Sequence, residues 1–178
     1  AYKSYIFPKE YTFDNYINLF KGSSIINFNR WFMNTLVIAI FTTLIAAFFT
    51  LCVSYVMSRL RFKMRKKFLN IALILGMFPG FMSMSAVYFL LKILLPNNYQ
   101  SHASLIIVYS AGAALSYYIA KGFFDTVPKS LDEAARMDGA TRAQIFRRII
   151  LPLSKPIIIY TILISFISPW CDYIFVSY

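Results

Sequence analysis

The chain has 178 residues, of which 59% are hydrophobic and only 14% are charged, and its formal net charge is +11. Soluble domains average about half apolar and about a quarter charged residues, so this composition excludes an ordinary soluble domain and predicts a membrane protein. The single histidine and the two distant cysteines, Cys52 and Cys171, offer no metal-site spacing, and no Walker-type phosphate loop occurs, so catalysis, bound metal and bound nucleotide are not expected.

The predicted elements are long apolar helices that follow an opening segment, residues 1–30. Three stretches carry no charge: 31–58, 68–91 and 103–120. A hydrocarbon core roughly 30 Å thick needs about 20 apolar residues of helix, so each stretch is predicted to span the membrane. A fourth apolar stretch, 156–178, is interrupted by Pro169 and Asp172 and is predicted to enter the membrane again. The predicted fold class is therefore all-α, a polytopic bundle of transmembrane helices.

The basic residues orient these spans. Residues 59–67 carry six Lys or Arg and no acid, and residues 121–155 carry seven, whereas residues 92–102 carry only one. Because short cytoplasmic loops hold the Lys and Arg excess, the first two segments are predicted to be cytoplasmic, and residues 92–102 and 1–30 to lie outside. A basic run can also bind RNA, but six positive charges directly after a span are typical of a topology anchor attracted to membrane lipids, so no nucleic-acid partner is expected.

Residues 130–152 read as soluble sequence between two predicted spans. Ser130 and Glu133 have the spacing of a capping box, which predicts a helix that begins at Leu131. Gly139 is predicted to close this helix, because glycine adopts the left-handed conformation of a helix end without a side-chain clash.

A second helix is predicted directly after this glycine. Thr141 and Gln144 form another capping box at its start. Apolar residues then repeat four positions apart, as Ile145 with Ile149 and Phe146 with Ile150. Pro152 is predicted to end this helix or to kink it into the next span.

The first of these two helices is short and has two consecutive alanines. Ala134 and Ala135 present almost no side chain, so they permit a close approach by another molecule. Isolated helices below about 12 to 15 residues are marginal in water, so this helix is expected to need a partner surface. The alternative is an interfacial helix that lies on the bilayer.

The same region carries a specific series of residues: Glu133-Ala134-Ala135, Gly139, Ile149, Leu151 and Pro152. This series resembles the EAA loop in the membrane subunits of bacterial ABC importers. Residues 123–156 around it are most similar to the carbohydrate-importer permeases of the maltose type. Weaker similarity to that family extends over 13–20, 31–36, 58–67, 77–91 and 168–175.

The resemblance implies a type I ABC importer permease with six spans in the bacterial cytoplasmic membrane, and this chain would lack the first and last of them. Its implied partners are an ABC ATPase dimer that binds the ATP, a second, non-identical permease and an extracytoplasmic sugar-binding protein, with no cofactor on this chain. The transported sugar would be a malto-oligosaccharide or a related oligosaccharide. The residues implied in coupling to the ATPase are Glu133, Ala134, Ala135, Asp138, Gly139, Ile149, Leu151 and Pro152.

Four residues are candidates for the translocation path: Pro79, Tyr117, Tyr118 and Asp172. Pro79 interrupts a span, where a hinge and ordinary helix packing both fit. Tyr117 and Tyr118 either stack on a sugar or anchor a span end at the interface. Asp172 is the one ionisable side chain predicted within a span.

Two other classes of protein fit the chain. A permease for an amino acid, phosphate, a metal or a peptide also uses an EAA loop. A membrane structural protein without an ATPase would need the EAA pattern to be coincidental.

Overall fold

The structure, a computed structural model, describes residues 12–21, 27–78, 80–99, 101–111 and 114–172. These described residues form helices and no strand, so the predicted all-α class is confirmed. In chain order the helices are α1 (Asp14–Lys21), α2 (Phe28–Arg59), α3 (Arg65–Gly76), α4 (Gly80–Leu94), α5 (His102–Ala111), α6 (Ala114–Thr126), α7 (Lys129–Met137), α8 (Arg142–Ile145), α9 (Leu151–Leu153) and α10 (Lys155–Cys171). A π-helical turn, Phe146–Ile150, joins α8 to α9.

The chain divides into two units, Ala1–Leu36 and Val37–Tyr178. In the first unit, Asn29 Nδ2 donates to the carbonyl of Phe20 at 3.0 Å, and the rings of Phe20 and Phe28 meet edge to face with centroids 5.4 Å apart. These contacts hold α1 against the start of α2. The sites described below belong to the second unit.

One helix, α2, is by itself long and apolar enough to cross a membrane, with 32 residues. Two bent pairs meet the same criteria of length and composition if each is one span: His102–Ala111 with Ser116–Thr126, bent by 45°, and Arg142–Leu153 with Lys155–Cys171, bent by 83°. The described part of the chain therefore holds between one and three such segments.

The predicted span 68–91 is divided between α3 and α4. Helix α3 ends at Gly76, and Met77 caps it in a right-handed conformation. Pro79, a predicted translocation-path residue, lies outside the described residues. Within α4, Ser85–Leu94 is a shorter apolar helix.

Helix α2 has two contrasting faces. Its buried face is made of small residues such as Ala39, Thr42 and Ala46, which allow neighbouring backbones to approach closely. On the opposite face Leu44 and Phe48 are each 63% exposed, as suits contact with lipid or another helix rather than water.

The core lies where α2 ends and the helices from α6 onward meet. Helix α6 packs against α3, and α10 packs against α5 and α6. The buried core cluster consists of Tyr55, Ala120, Phe124, Val127, Ala135, Ile145, Ile150 and Ile157. Its members come from α2, α6, α7, the segment around the π turn and α10, so the predicted soluble-looking segment is packed into the bundle.

Candidate functional site

Helix α7 begins earlier than the sequence predicts. Its N-cap is Pro128, with φ −57° and ψ 132°, no side chain caps it, and its first residue is Lys129 rather than Leu131. The predicted capping box of Ser130 with Glu133 is wrong, since both residues lie inside the helix. A proline disfavours the helical conformation at the residue before it, so α6 ends ahead of Pro128, and α7 begins directly after this proline without a side-chain cap.

Helix α7 presents different residues inward and outward. Asp132 and Ala135 face the core and are only 4% and 7% exposed. The other residues of α7 are exposed, and Ser130, Glu133, Ala134 and Met137 share the outward face at helical spacing. The two alanines of the motif thus differ, because Ala134 is available to another molecule while Ala135 packs in the same core cluster as Ile145.

Gly139 forms the corner after α7, as the sequence predicts. Its φ is +81°, a left-handed conformation that glycine adopts without strain. The N–H of Gly139 donates to the carbonyl of Arg136 at 3.0 Å, and the N–H of Ala140 donates to that of Ala135 at 2.9 Å, which is a Schellman motif. A Cβ at Gly139 would meet nothing within 4 Å, so only the backbone conformation demands glycine here. Asp138 is the exposed C-cap of α7.

The second capping box is confirmed. The N–H of Thr141 donates to Gln144 Oε1 at 2.7 Å, and the N–H of Gln144 donates to Thr141 Oγ1 at 3.4 Å. This reciprocal pair starts α8 immediately after the glycine corner, so the two helices are separated by only a few residues.

The apolar register after α8 differs from the prediction. Ile145 and Ile150, five residues apart, are the fully buried pair, while Phe146 and Ile149 pack at the edge of the core. The four-residue repeat assumes a regular α-helix, whereas the π turn contributes one extra residue and brings positions i and i+5 onto one face.

The corner into α10 lies at Ser154, not at Pro152. Leu151 is half-buried and Pro152 is exposed within α9, and the chain bends by 83° between Leu153 and Lys155. Pro156 lacks an N–H to donate to the carbonyl four residues earlier, so the helical ladder is interrupted at this position.

A buried ion pair anchors α7 to the end of α2. Arg59 Nε lies 3.3 Å from Asp132 Oδ2, and the two side chains are only 1% and 6% exposed. Arg59 Nη2 also donates to the carbonyl of Val127 at 2.8 Å, directly before α7. The sequence-based interpretation assigned Arg59 to a topology anchor and did not predict this ion pair. The predicted capping box emphasised Glu133 instead of Asp132. The position of Asp132 on the same helix face as Ala135 was the signal that could have indicated a buried carboxylate.

Further hydrogen bonds connect the last two turns of α2 to its neighbours. Ser54 Oγ donates to the carbonyl of Tyr117 at 3.0 Å, Ser58 Oγ to Asp125 Oδ1 at 2.6 Å, and Tyr55 Oη to the carbonyl of Arg142 at 3.3 Å. Lys121 also donates to Asp125. The end of α2 is therefore bonded to α6, to α7 and to the segment that follows the glycine corner.

The candidates for the translocation path are distributed over two helices. Tyr117 is half-buried on α6, and the next residue, Tyr118, is 42% exposed. Asp172 follows α10, and its Oδ2 accepts a hydrogen bond from Tyr109 Oη of α5 at 2.9 Å. Their role in a translocation path stays a prediction. Among the described residues, no group of three or more metal-ligating side chains lies together.

The sequence of the chain is similar to those of known transport proteins. Residues 52–178 match the family of binding-protein-dependent transport system inner membrane components. The chain belongs to this family. The predicted resemblance to sugar-importer permeases is confirmed by its relatives.

Three relatives illustrate the similarity. The galactooligosaccharides transport system permease protein GanQ of Bacillus subtilis (strain 168) is 39% identical over 176 residues, 97% of this chain and 60% of the relative. The maltodextrin transport system permease protein MdxG of the same organism is 35% identical over 97% of this chain and 60% of its own length. The maltose/maltodextrin transport system permease protein MalG of Yersinia pestis is 38% identical over 78% of this chain and 47% of its own length. The chain thus spans about 60% of the length of the first two relatives.

Replacing Arg59 with Gln should strongly destabilise the packing of α7 against α2. The substitution leaves the buried Asp132 carboxylate without its cation, which costs about 3 to 5 kcal/mol in buried pairs. The measurement is the midpoint of thermal unfolding of the purified full-length permease in detergent. The double variant Arg59→Gln/Asp132→Asn should recover part of the loss, because the uncompensated charge is gone. Equal midpoints for Arg59→Gln and wild type would show that the pair does not hold α7.

Proposed function

We propose that the chain forms the translocation path of an ATP-driven sugar importer in the bacterial cytoplasmic membrane, and that α7 couples it to a separate ATPase. The observation that carries this proposal is the division of α7 into two faces. Its outward residues are exposed, while its inward residues are fixed to α2 by the Arg59–Asp132 pair. A short helix held in this way can transmit the movement of a bound partner into the bundle.

The outward face favours a protein partner over the bilayer surface. The exposed large apolar side chains of α7 are Met137, 88% exposed, and Leu131, 40% exposed. These two residues lie about 120° apart around the helix at 3.6 residues per turn, so they do not form one continuous apolar face. A helix that lies on a membrane needs a continuous apolar face to bury among the lipids. Ala134 leaves room for close backbone approach, and Glu133 offers a charge that a basic partner surface would bind.

Movement of α7 would reach the membrane helices by two routes. One route is the Arg59–Asp132 pair, which leads directly into α2. The other is the Schellman corner at Gly139, which holds α7 to the segment containing Ile149, Leu151 and Pro152 and, through the bend at Ser154, to α10. Ala135 serves this second route, because its small side chain allows α7 to pack beside Ile145.

The proposed substrate is an oligosaccharide, and the proposed partners are an ATPase dimer, a second permease and an extracytoplasmic sugar-binding protein. The support comes from the relatives, whose names specify galactooligosaccharides, maltodextrin and maltose, and from the family, whose members work in binding-protein-dependent transport systems. The same support disfavours a permease for a non-sugar solute. In this assignment ATP is bound and hydrolysed by the ATPase, and the permease contributes no catalytic residue.

The two faces of α7 should differ in crosslinking to an ATPase. In the full-length importer, purified from its native membrane, Met137→Cys should form a crosslink to the ATPase with a short bifunctional thiol reagent, because this side chain is exposed. The matched control is Ala135→Cys, which places the thiol in the core and should not crosslink. The measurement is mass spectrometry of the crosslinked band, and the same preparation identifies any copurified permease and binding protein. Absence of an ATPase from both preparations would contradict the proposal.

Replacing Gly139 with Ala should impair coupling. The new Cβ meets no neighbour, so its effect is backbone strain at φ +81°, on the order of 1 to 2 kcal/mol. We expect membrane insertion to persist while sugar uptake and sugar-stimulated ATP hydrolysis fall severalfold in reconstituted vesicles. Gly122→Ala in α6 is the matched control, since its Cβ also meets nothing within 4 Å and its φ is not positive. Equal uptake by the two variants would show that the corner is not part of the coupling route.

A further inference from the structure

A basic cavity adjoins α7 and extends from its anchored side, at Asp132, to its outward side, at Glu133. It measures about 430 Å³ and opens between the end of α2, the basic segment after it and one flank of α7. Its basic lining residues are Arg59, Arg61, Arg65, Lys129, Arg136 and Arg142. Asp132 and Glu133 are its acidic lining residues, so the lining carries an excess of four positive charges. A concave site with this charge attracts an anion.

Arg59 lines this cavity and has an unsatisfied donor. Its side chain is 1% exposed, and its Nη1 is buried without a hydrogen-bond partner. Its Nε makes only the ion-pair contact with Asp132 and no hydrogen bond. Buried donors of this kind are rare and costly, and a phosphate oxygen is a strong acceptor for a guanidinium.

Asp132 also lines the cavity and has an unsatisfied acceptor. Its Oδ1 is buried and has no hydrogen-bond partner, although Oδ2 lies against Arg59. A ligand that fits both groups carries a negative phosphate and, next to it, a hydroxyl that can donate. A hydroxylated phosphodiester has this combination.

The position of the cavity favours a lipid as the source of this group. Its lining begins at Ser58 and Arg59, the last two residues of the long apolar helix α2. In the proposed orientation this is the cytoplasmic membrane surface, where lipid phosphates lie and basic residues attract anionic headgroups. The choice of a lipid therefore rests on the orientation within the proposed function.

We propose that this cavity binds the headgroup of one anionic phospholipid with a hydroxylated phosphodiester, of the phosphatidylglycerol type. Its phosphate accepts from Arg59 and is surrounded by Arg61 and Arg65, while a headgroup hydroxyl donates to Asp132. The lipid headgroup fills the space between α2 and α7, so α7 packs against the lipid as well as against α2.

Native mass spectrometry of the purified full-length importer tests this site. The protein is first delipidated and then titrated with phosphatidylglycerol. The cavity variant is Arg61→Gln/Arg65→Gln, which leaves the Arg59–Asp132 pair intact. The matched control is Lys66→Gln/Lys67→Gln, which removes two charges from the same basic segment at positions that do not line the cavity. We expect one tightly retained phosphatidylglycerol per permease, about tenfold weaker binding in the cavity variant and near-normal binding in the control.

Two further titrations separate the sources of the anion. Phosphatidylcholine is zwitterionic, with no net negative charge and no hydroxyl donor on its headgroup, and it should not replace the retained lipid. Inorganic phosphate at millimolar concentration should compete weakly, since it lacks the hydrocarbon chains. Equal weakening in both double variants would indicate diffuse attraction and overturn the site, and tight binding of inorganic phosphate without retention of the lipid would overturn the lipid assignment. These titrations use neither ATP nor sugar, so their outcome is independent of whether α7 couples to an ATPase.

Discussion

The position of α7 depends on one buried charge pair. Arg59 and Asp132 are both removed from solvent, and burying two charges costs several kcal/mol for each ion unless they meet in good geometry with further partners. The hydrogen bond from Arg59 to the Val127 carbonyl supplies one such partner. The remaining buried donor and acceptor leave the pair under-satisfied, and both residues line the adjoining cavity. A network of this kind fixes one arrangement of α7 on α2, because any other arrangement leaves a charge unpaired.

The fold class and most local features of residues 128–154 could be predicted from sequence. The apolar stretches follow from the thickness of a bilayer, and the glycine corner and the Thr141 capping box follow from backbone chemistry that acts within a few residues. The spacing of Ser130 and Glu133 fits a capping box equally well, but Pro128 starts the helix first. A local pattern cannot show which of two competing helix starts is used when a different local rule supports each of them.

The missed features depend on contacts between distant residues. Arg59 and Asp132 are far apart in sequence, and a basic residue after a span has a sufficient local explanation as a topology anchor. The π turn also escapes prediction, because its one-residue insertion is visible only once Ile145 and Ile150 are seen in the same core. Similarly, the sequence treated Ala134 and Ala135 alike, although the direction of each side chain is set by how α7 is rotated against α2.

The distribution of bonds along α2 has a mechanical consequence. The side-chain bonds described between this helix and the rest of its unit come from Ser54, Tyr55, Ser58 and Arg59, at one end. Farther along, its buried face consists mostly of small residues, and Thr43 donates to the helix's own carbonyl at Ala39. The described side-chain bonds therefore hold α2 at one end, and the buried face of the rest of the helix makes contacts mainly through small side chains. A tilt of α2 by about 10° about Ser54 would displace Ile38 by about 4 Å, because Ile38 lies about 24 Å from Ser54 at about 1.5 Å per residue.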